Sequence, residues 1–214
     1  MHAAGSFGGL TTLCRHKGCH LTSTSEKGTV KQMSRNKHPH MDFEFTLKFK
    51  LPPSLTDEDE IVELLGAHGC TDALVGLGQT GYLGLDFIRD AKTAQEAILS
   101  ALENVQAALP GATLVEAGPD YVGLTDVAQV IGQSRQNLRK LMIGHHQRFP
   151  APMHSGNPSL WHLAEVLAFL KERQVAFPSP VLDVARTAMQ INLVRQQPLL
   201  DRQLEASLGD RLSA

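Results

Sequence analysis

The 214-residue chain lacks several features that would place it in a specialised class. No apolar run approaches the ~20 residues needed to cross a bilayer, so no membrane partner is expected. The opening stretch, MHAAGSFGGLTTLCRHKGCH, has no continuous apolar core and no cleavage site, which argues against a secretory signal. There are only three cysteines, Cys14, Cys19 and Cys70. An odd and sparse set excludes a disulfide framework and makes a reducing cytoplasm the simplest home. No internal repeat is visible. The net charge of −2 is too small to point to any partner.

What is present is unevenly distributed. Residues 1–41 carry six Lys or Arg against one acid, a net +5. Residues 42–120 carry four against fourteen, a net −10, and residues 121–173 carry six against three, a net +3. Residues 174–214 carry four of each. The acidic block is expected to be repelled by nucleic acid, whereas the block after it can approach a phosphate backbone.

Residues 1–41 are rich in Gly, Ser, Thr, His and Lys without periodicity, and read as a disordered leader or as a segment foreign to the natural protein. Met41 is a plausible true start. Phe43–Leu51 then alternates, with Phe43, Phe45, Leu47, Phe49 and Leu51 on one face, which predicts a half-buried strand ended by Pro52-Pro53. Thr56 and Asp59 stand at capping-box spacing ahead of a helical face of Ile61, Val62, Leu64 and Leu65, closed by Gly69. Ala73–Leu77 and Tyr82–Ile88 read as strands joined by the turn Gly78-Gln79-Thr80-Gly81. Thr93 and Glu96 repeat the capping pattern before a long helix face from Ala94 to Leu109, and Ala112–Glu116 is a further strand. The order is strand, helix, strand, strand, helix, strand. It predicts a ferredoxin-like βαββαβ domain over residues 42–118, within an α+β chain. Gly118-Pro119-Asp120 reads as a junction.

From Leu124 the pattern is helical apart from a Pro/Gly-rich stretch at Phe149–Ser159. Phe177-Pro178-Ser179-Pro180 reads as a linker. Val181–Val194 reads as a helix with Leu182, Ala185, Met189 and Leu193 along one side, interrupted by Pro198 and followed by a fraying tail. The expected organisation is thus a leader over 1–41, the α+β domain over 42–118, an all-α or winged domain over 121–174, and a helix and tail over 179–214.

The segment Leu124–Met142 carries most of the functional information. Thr125 can cap a first helix, Ala128 is small where a second helix would cross, and Gly132 suits a turn with positive φ. Val127, Ile131, Leu138 and Leu141 fall where two helices would share a core, and Ser134 can cap the second helix. Arg135, Gln136, Asn137, Arg139 and Lys140 remain on its other faces. Arg, Gln and Asn are the side chains able to make bidentate contacts to G or A edges in the major groove, and a helix N-terminus favours nearby phosphate. This segment resembles the helix-turn-helix. With Arg148-Phe149-Pro150-Ala151-Pro152, His154-Ser155-Gly156-Asn157, Leu160-Trp161, Val166 and Phe169-Leu170 behind it, residues 124–173 resemble the winged helix-turn-helix of excisionases and AlpA-type, MerR-like regulators.

The resemblance implies a bacterial or mobile-element transcription regulator that binds double-stranded DNA, with Ser134–Met142 in the major groove and His154–Asn157 forming a wing. The expected DNA-facing set is Thr125, Gln133, Ser134, Arg135, Gln136, Asn137, Arg139, Lys140, His145, His146, Arg148, His154 and Asn157. Helix-turn-helix modules usually span two half-sites as dimers, so a homodimer is expected, with the helix Val181–Val194 or an exposed sheet as its surface. An antitoxin-like or adaptor role, in which the acidic domain binds a protein, is the alternative, and an enzyme built on the ferredoxin-like domain is the less favoured one, since no His lies among its strands and its carboxylates map mainly to caps and loops.

No catalytic set, metal site or cofactor is expected, and the chain reads as a non-enzyme. Cys14, His16, Cys19 and His20, even with His38 and His40, match no dependable zinc spacing. Asp57-Glu58-Asp59-Glu60 reads as a helix cap favoured by the dipole. Gly76–Gly81 lacks the Lys-Ser/Thr ending of a phosphate loop and precedes a strand. Cys70 reads as a bystander thiol.

Overall fold

The computed structural model describes residues 40–212, which form one compact unit. The leader and its Cys14, His16, Cys19, His20 and His38 lie outside the described residues. The first six elements are β1 (Met41–Lys50), α1 (Glu58–Ala67), β2 (Ala73–Gly76), β3 (Tyr82–Ala91), α2 (Ala94–Ala108) and β4 (Thr113–Gly118). The strands form one antiparallel sheet in the order β2-β3-β1-β4. The alternation of β1 is used as its pattern demands. Phe43, Phe45, Leu47 and Phe49 are buried against Ile61 and Leu65 of α1 and Ala97, Ile98, Ala101 and Val105 of α2. Glu44, Lys48, Asp86 and Asp90 stay on the open face, in water.

The caps differ in detail from the sequence expectation. Asp57, not Thr56, caps α1, its carboxylate accepting from Asp59 and Glu60 N–H at 3.0 and 3.2 Å. An ionised carboxylate at a helix N-terminus is favoured by both the free N–H groups and the dipole. Thr93 does cap α2, accepting from Glu96 N–H at 3.1 Å. Gly78–Gly81 is the turn between β2 and β3.

The second half contains β5 (Tyr121–Val122), α3 (Leu124–Val130), α4 (Arg135–Gly144), β6 (Trp161–His162), α5 (Leu163–Glu172), α6 (Ser179–Gln196), a 3-10 turn (Gln197–Leu199) and α7 (Arg202–Leu212). It is not helical throughout, because β5 pairs antiparallel with β6. Two-residue strands carry too short an alternation to be read from sequence. Its own core gathers Val127, Ala128, Leu138, Phe149, Trp161, Phe169 and Leu182. Phe149 packs edge-on against both Trp161 and Phe169, with ring centroids 6.1 and 5.0 Å apart.

α6 belongs to both cores, which corrects the one-sided face expected for it. Val184 and Ala188 enter the first core, while Leu182 and Ala185 enter the second. Leu193 is exposed, and Asn192 is the fully buried residue in its place. Ser179-Pro180 begins this helix instead of forming a linker, since proline is tolerated in a first turn. α6 also runs along the sheet edge, packing against β4 and β1. It covers the N-terminal part of β1 that β4 leaves unpaired. Its C-terminal end still presents Leu193 and Val194 to the outside, 45% and 59% exposed. The tail does not simply fray: α7 is a capped helix.

Gly118-Pro119-Asp120 is likewise no loose junction. Asp120 is 1% exposed. Its Oδ1 lies 2.7 Å from His162 Nδ1, its Oδ2 accepts from Asn192 Nδ2 at 2.8 Å, and its carbonyl accepts from Leu163 N–H at 2.8 Å. Asn192 in turn grips the edge strand β4. Its Oδ1 accepts from Ala117 N–H at 2.9 Å and its Nδ2 donates to Ala117 carbonyl at 2.8 Å. The side-chain amide thereby does for β4 what a neighbouring strand would do.

A second polar knot lies at the other sheet edge. Arg89 forks onto Asp72 at 2.7 and 2.9 Å and also donates to Gly69 carbonyl and Ser100 Oγ. Burial opposes ionisation of Asp72, but the hydrogen bonds and charge of Arg89 outweigh it, so the carboxyl titrates below its ordinary range. Neighbouring Cys70 is 3% exposed, and burial raises its thiol above the usual value although Arg89 works against the shift. A buried, protonated thiol is a poor nucleophile.

Candidate nucleic-acid interface

α3 and α4 are two short helices joined by a tight turn. Gly123, not Thr125, occupies the cap of α3; its N–H donates to Asp126 Oδ2 at 2.8 Å. Thr125 lies exposed in the first turn instead. The other end of α3 is closed by Gly132 at φ +64°. Gln133 N–H reaches back to Ala128 carbonyl at 2.9 Å and Gly132 N–H to Gln129 carbonyl at 3.1 Å. This paired closure requires the left-handed conformation that glycine adopts without strain. Ser134 then caps α4, its Oγ accepting from Asn137 N–H at 3.2 Å.

Leu138 is 1% exposed and anchors α4 to α3, with Leu141 and Met142 packed beside it. At 3.6 residues per turn, Arg135, Arg139, Ile143, Gln136 and Lys140 then share one outward arc of about 140°. All five side chains are exposed. Asn137 is exposed too but lies about 60° beyond Lys140, on the flank of that arc. Ile143, 58% exposed, was not singled out by sequence. Its position on the polar arc was the available signal, and an apolar contact to a thymine methyl is the chemistry it offers.

A cleft of about 470 Å³ brings Thr125, Arg135, Arg139 and Asn157 together, with Trp161 at its base and Asp126 on its wall. The opposite rim is the turn between His154 and Leu160, whose backbones exchange hydrogen bonds of 3.3 and 3.0 Å. The imidazole of His154 lies over Gly156, in the space that any Cβ would fill, so its ring folds onto its own turn. Trp161 holds this region through a hydrogen bond from Nε1 to Pro150 carbonyl at 3.1 Å.

The remaining expected residues lie apart from the cleft. Gln133 and Ser134 are exposed at the α3–α4 turn, and Arg148 is exposed beyond the end of α4. His145 ends α4 with its ring edge-on to Phe169, and His146 Nδ1 sits 3.3 Å from Ile143 carbonyl. Arg173 spends its charge locally, stacking 3.6 Å over the Phe169 ring and donating to its carbonyl. Among the described residues no group of three or more His, Cys, Asp or Glu is placed to hold a metal ion, and no helix is long and apolar enough to cross a membrane. Compared with family models, curated proteins and solved structures, the chain gives no match.

Proposed function

We propose that the chain is a sequence-specific DNA-binding transcription regulator that reads the major groove with α4. The observation that carries this reading is the outward arc of Arg135, Gln136, Arg139 and Lys140 on a helix whose inner side is buried. These are the side chains that can fork onto guanine and adenine edges or neutralise phosphate. An ordinary solvated helix would mix charge signs, whereas α4 carries no acidic residue. The turn at His154–Leu160, beside this arc, fits a short wing, and β5–β6 fits its base. The strand order β2-β3-β1-β4 with two helices on one face fits a ferredoxin-like module ahead of it. The net +3 of residues 121–173 agrees with a DNA-facing role, but it is modest, so a single copy binds weakly and a dimer on two half-sites supplies the affinity.

Selection of random duplex oligonucleotides by the full chain tests this. Enrichment of a repeated half-site is the expected result, and absence of any enrichment at low salt overturns it.

One observation favours an additional, protein-binding role. The open face of the sheet is acidic, with Asp42, Glu44, Asp86 and Asp90 around the exposed apolar side chains of Leu74 (73% exposed) and Ile88 (60%). A basic protein partner fits such a face. Loss of partner binding in Ile88→Lys with DNA binding retained is its signature.

A further inference from the structure

α7 is a helix without a core. Its start is well made, because Asp201 Oδ1 accepts from Gln203 and Leu204 N–H at 2.9 and 3.1 Å. Arg202 also pairs with Glu205 at 2.9 Å. Yet Leu200 and Leu204 are 50% and 54% exposed, and Leu199 is 81% exposed. Leu204 and Leu208 stand one turn apart on one side of α7, and Leu200 precedes the helix in extended backbone. An eleven-residue helix is roughly 16 Å long and marginal in water when nothing packs against it. Its persistence calls for a surface to receive those leucines.

The same chain carries a concave apolar surface. Leu99 and Leu102 of α2, Leu114 of β4 and Ile191 and Val194 of α6 line an open groove of about 600 Å³. Leu99 is 41% exposed and Val194 59%. Arg195 borders the groove, and its Nε is buried with no hydrogen-bond partner among the described residues. An open apolar channel between helices suits an amphipathic helix anchored at i and i+4. A small molecule would remain largely in water there.

We infer that the groove of one chain receives α7 of a second copy, reciprocally, giving a two-fold dimer. α7 departs from the end of α6 that borders the groove, and within its own chain Leu200 and Leu204 remain exposed while Leu208 is half-buried. Exchange satisfies both surfaces at once. Because the contact occurs twice, its area doubles towards the ~1,600 Å² of a standard stable interface. Glu205 stands beside Leu204 and brings a carboxylate to a groove bordered by Arg186 and Arg195. The inference rests on the proposed DNA-binding role only in supplying the dimer that role calls for.

Sedimentation equilibrium of the full chain, without DNA, tests it. The wild type is expected to be a dimer in the micromolar range. Leu204→Glu in α7 and Leu99→Glu in the groove should each weaken dimerisation by roughly a hundredfold or more, with the far-ultraviolet circular dichroism of a folded chain. Val194→Glu serves as the groove variant if Leu99→Glu unfolds. An equal mixture of the α7 and groove variants should recover dimer in part, because one contributes an intact helix and the other an intact groove. A monomeric wild type, a dimer indifferent to Leu204→Glu, or a mixture without recovery overturns the inference. A dimer that selects no DNA removes the regulator reading alone, and a monomer that selects DNA removes only the exchange.

Discussion

Replacing Asn192 by leucine of similar volume isolates the contribution of the amide that joins the two cores. The substitution deletes three hydrogen bonds and leaves Ala117 N–H, Ala117 carbonyl and Asp120 Oδ2 without that partner. Ala117 and Asp120 are each 1% exposed, so water cannot replace the amide without local opening. An orphaned buried polar group costs about 1–3 kcal/mol. Three of them cost roughly 3–9 kcal/mol, less about 1 kcal/mol returned by the extra apolar burial of leucine. The expected loss is about 2–8 kcal/mol, a large share of the ~5–15 kcal/mol typical of a folded protein. Urea denaturation followed by Trp161 fluorescence, which reports the second core, and by far-ultraviolet circular dichroism, which reports both, measures it. The two probes should shift together, because α6 contributes side chains to each core. A loss below about 1 kcal/mol for Asn192→Leu would show that the orphaned groups find other partners, and would refute this account.

Arg135→Ala and Arg139→Ala should each weaken operator binding by roughly tenfold to a hundredfold at matched salt, with unfolding midpoints unchanged; retained affinity in both removes the assigned face. Lys140→Ala should instead lower affinity across sequences and reduce the salt slope by about one per contact, which titrations at several salt concentrations read directly. Ser134→Ala removes the cap of α4 and should cost about 1 kcal/mol in urea melts. The stability difference between wild type and Asp72→Asn should depend on pH. The carboxyl is depressed in the folded state, so its contribution is fully present above the unfolded value near 4 and is lost as pH falls through the lower folded value. Urea melts at neutral pH and near pH 3 should therefore differ in the size of the gap, and a constant gap would mean that Arg89 does not hold the ionised form.

The parts of the fold written in long periodic patterns were legible in the sequence. β1 alternates over its whole length, and the helical face of α2 runs from Ala94 to Val105, so burial follows directly from period. The turn at Gly132 and the cap at Ser134 were legible because each demands a particular residue chemistry. What escaped is non-local. Asp57 and Gly123 displaced the expected caps by one or two residues, because several residues in each stretch can satisfy the same N–H groups. Asn192 was not singled out in the sequence. Its role depends on Ala117 and Asp120, more than 70 positions away. The leucines of α7 were too few to distinguish from a tail without seeing the exposure of Leu204. Of the expected interface, Thr125, Arg135, Arg139 and Asn157 meet at one cleft, whereas His154 folds over Gly156. Backbone conformation decides that last point, and residue type does not report it.

The charge partition of the chain sets a limit on how any DNA contact can work. Arg135, Arg139 and Lys140 offer three cations on the α4 arc, while residues 42–120 carry a net −10 in the same compact unit. At physiological ionic strength the Debye length is about 8 Å, so acids more than one helix diameter away are largely screened from the phosphates. At low salt the screening length grows towards ~30 Å, and the acidic block opposes approach just as the cations favour it. Non-specific attraction therefore gains less from low salt than three free cations would imply. In the proposed regulator, discrimination would come from the geometry of Arg135, Gln136 and Arg139 against base edges, and affinity from repeating that geometry on a second half-site. A sheet edge gripped by Asn192 and a helix shared by both cores hold α4 at a fixed angle to the rest of the chain. In the proposed regulator that fixed angle would let a dimer, wherever its surface lies, set the spacing between two reading helices.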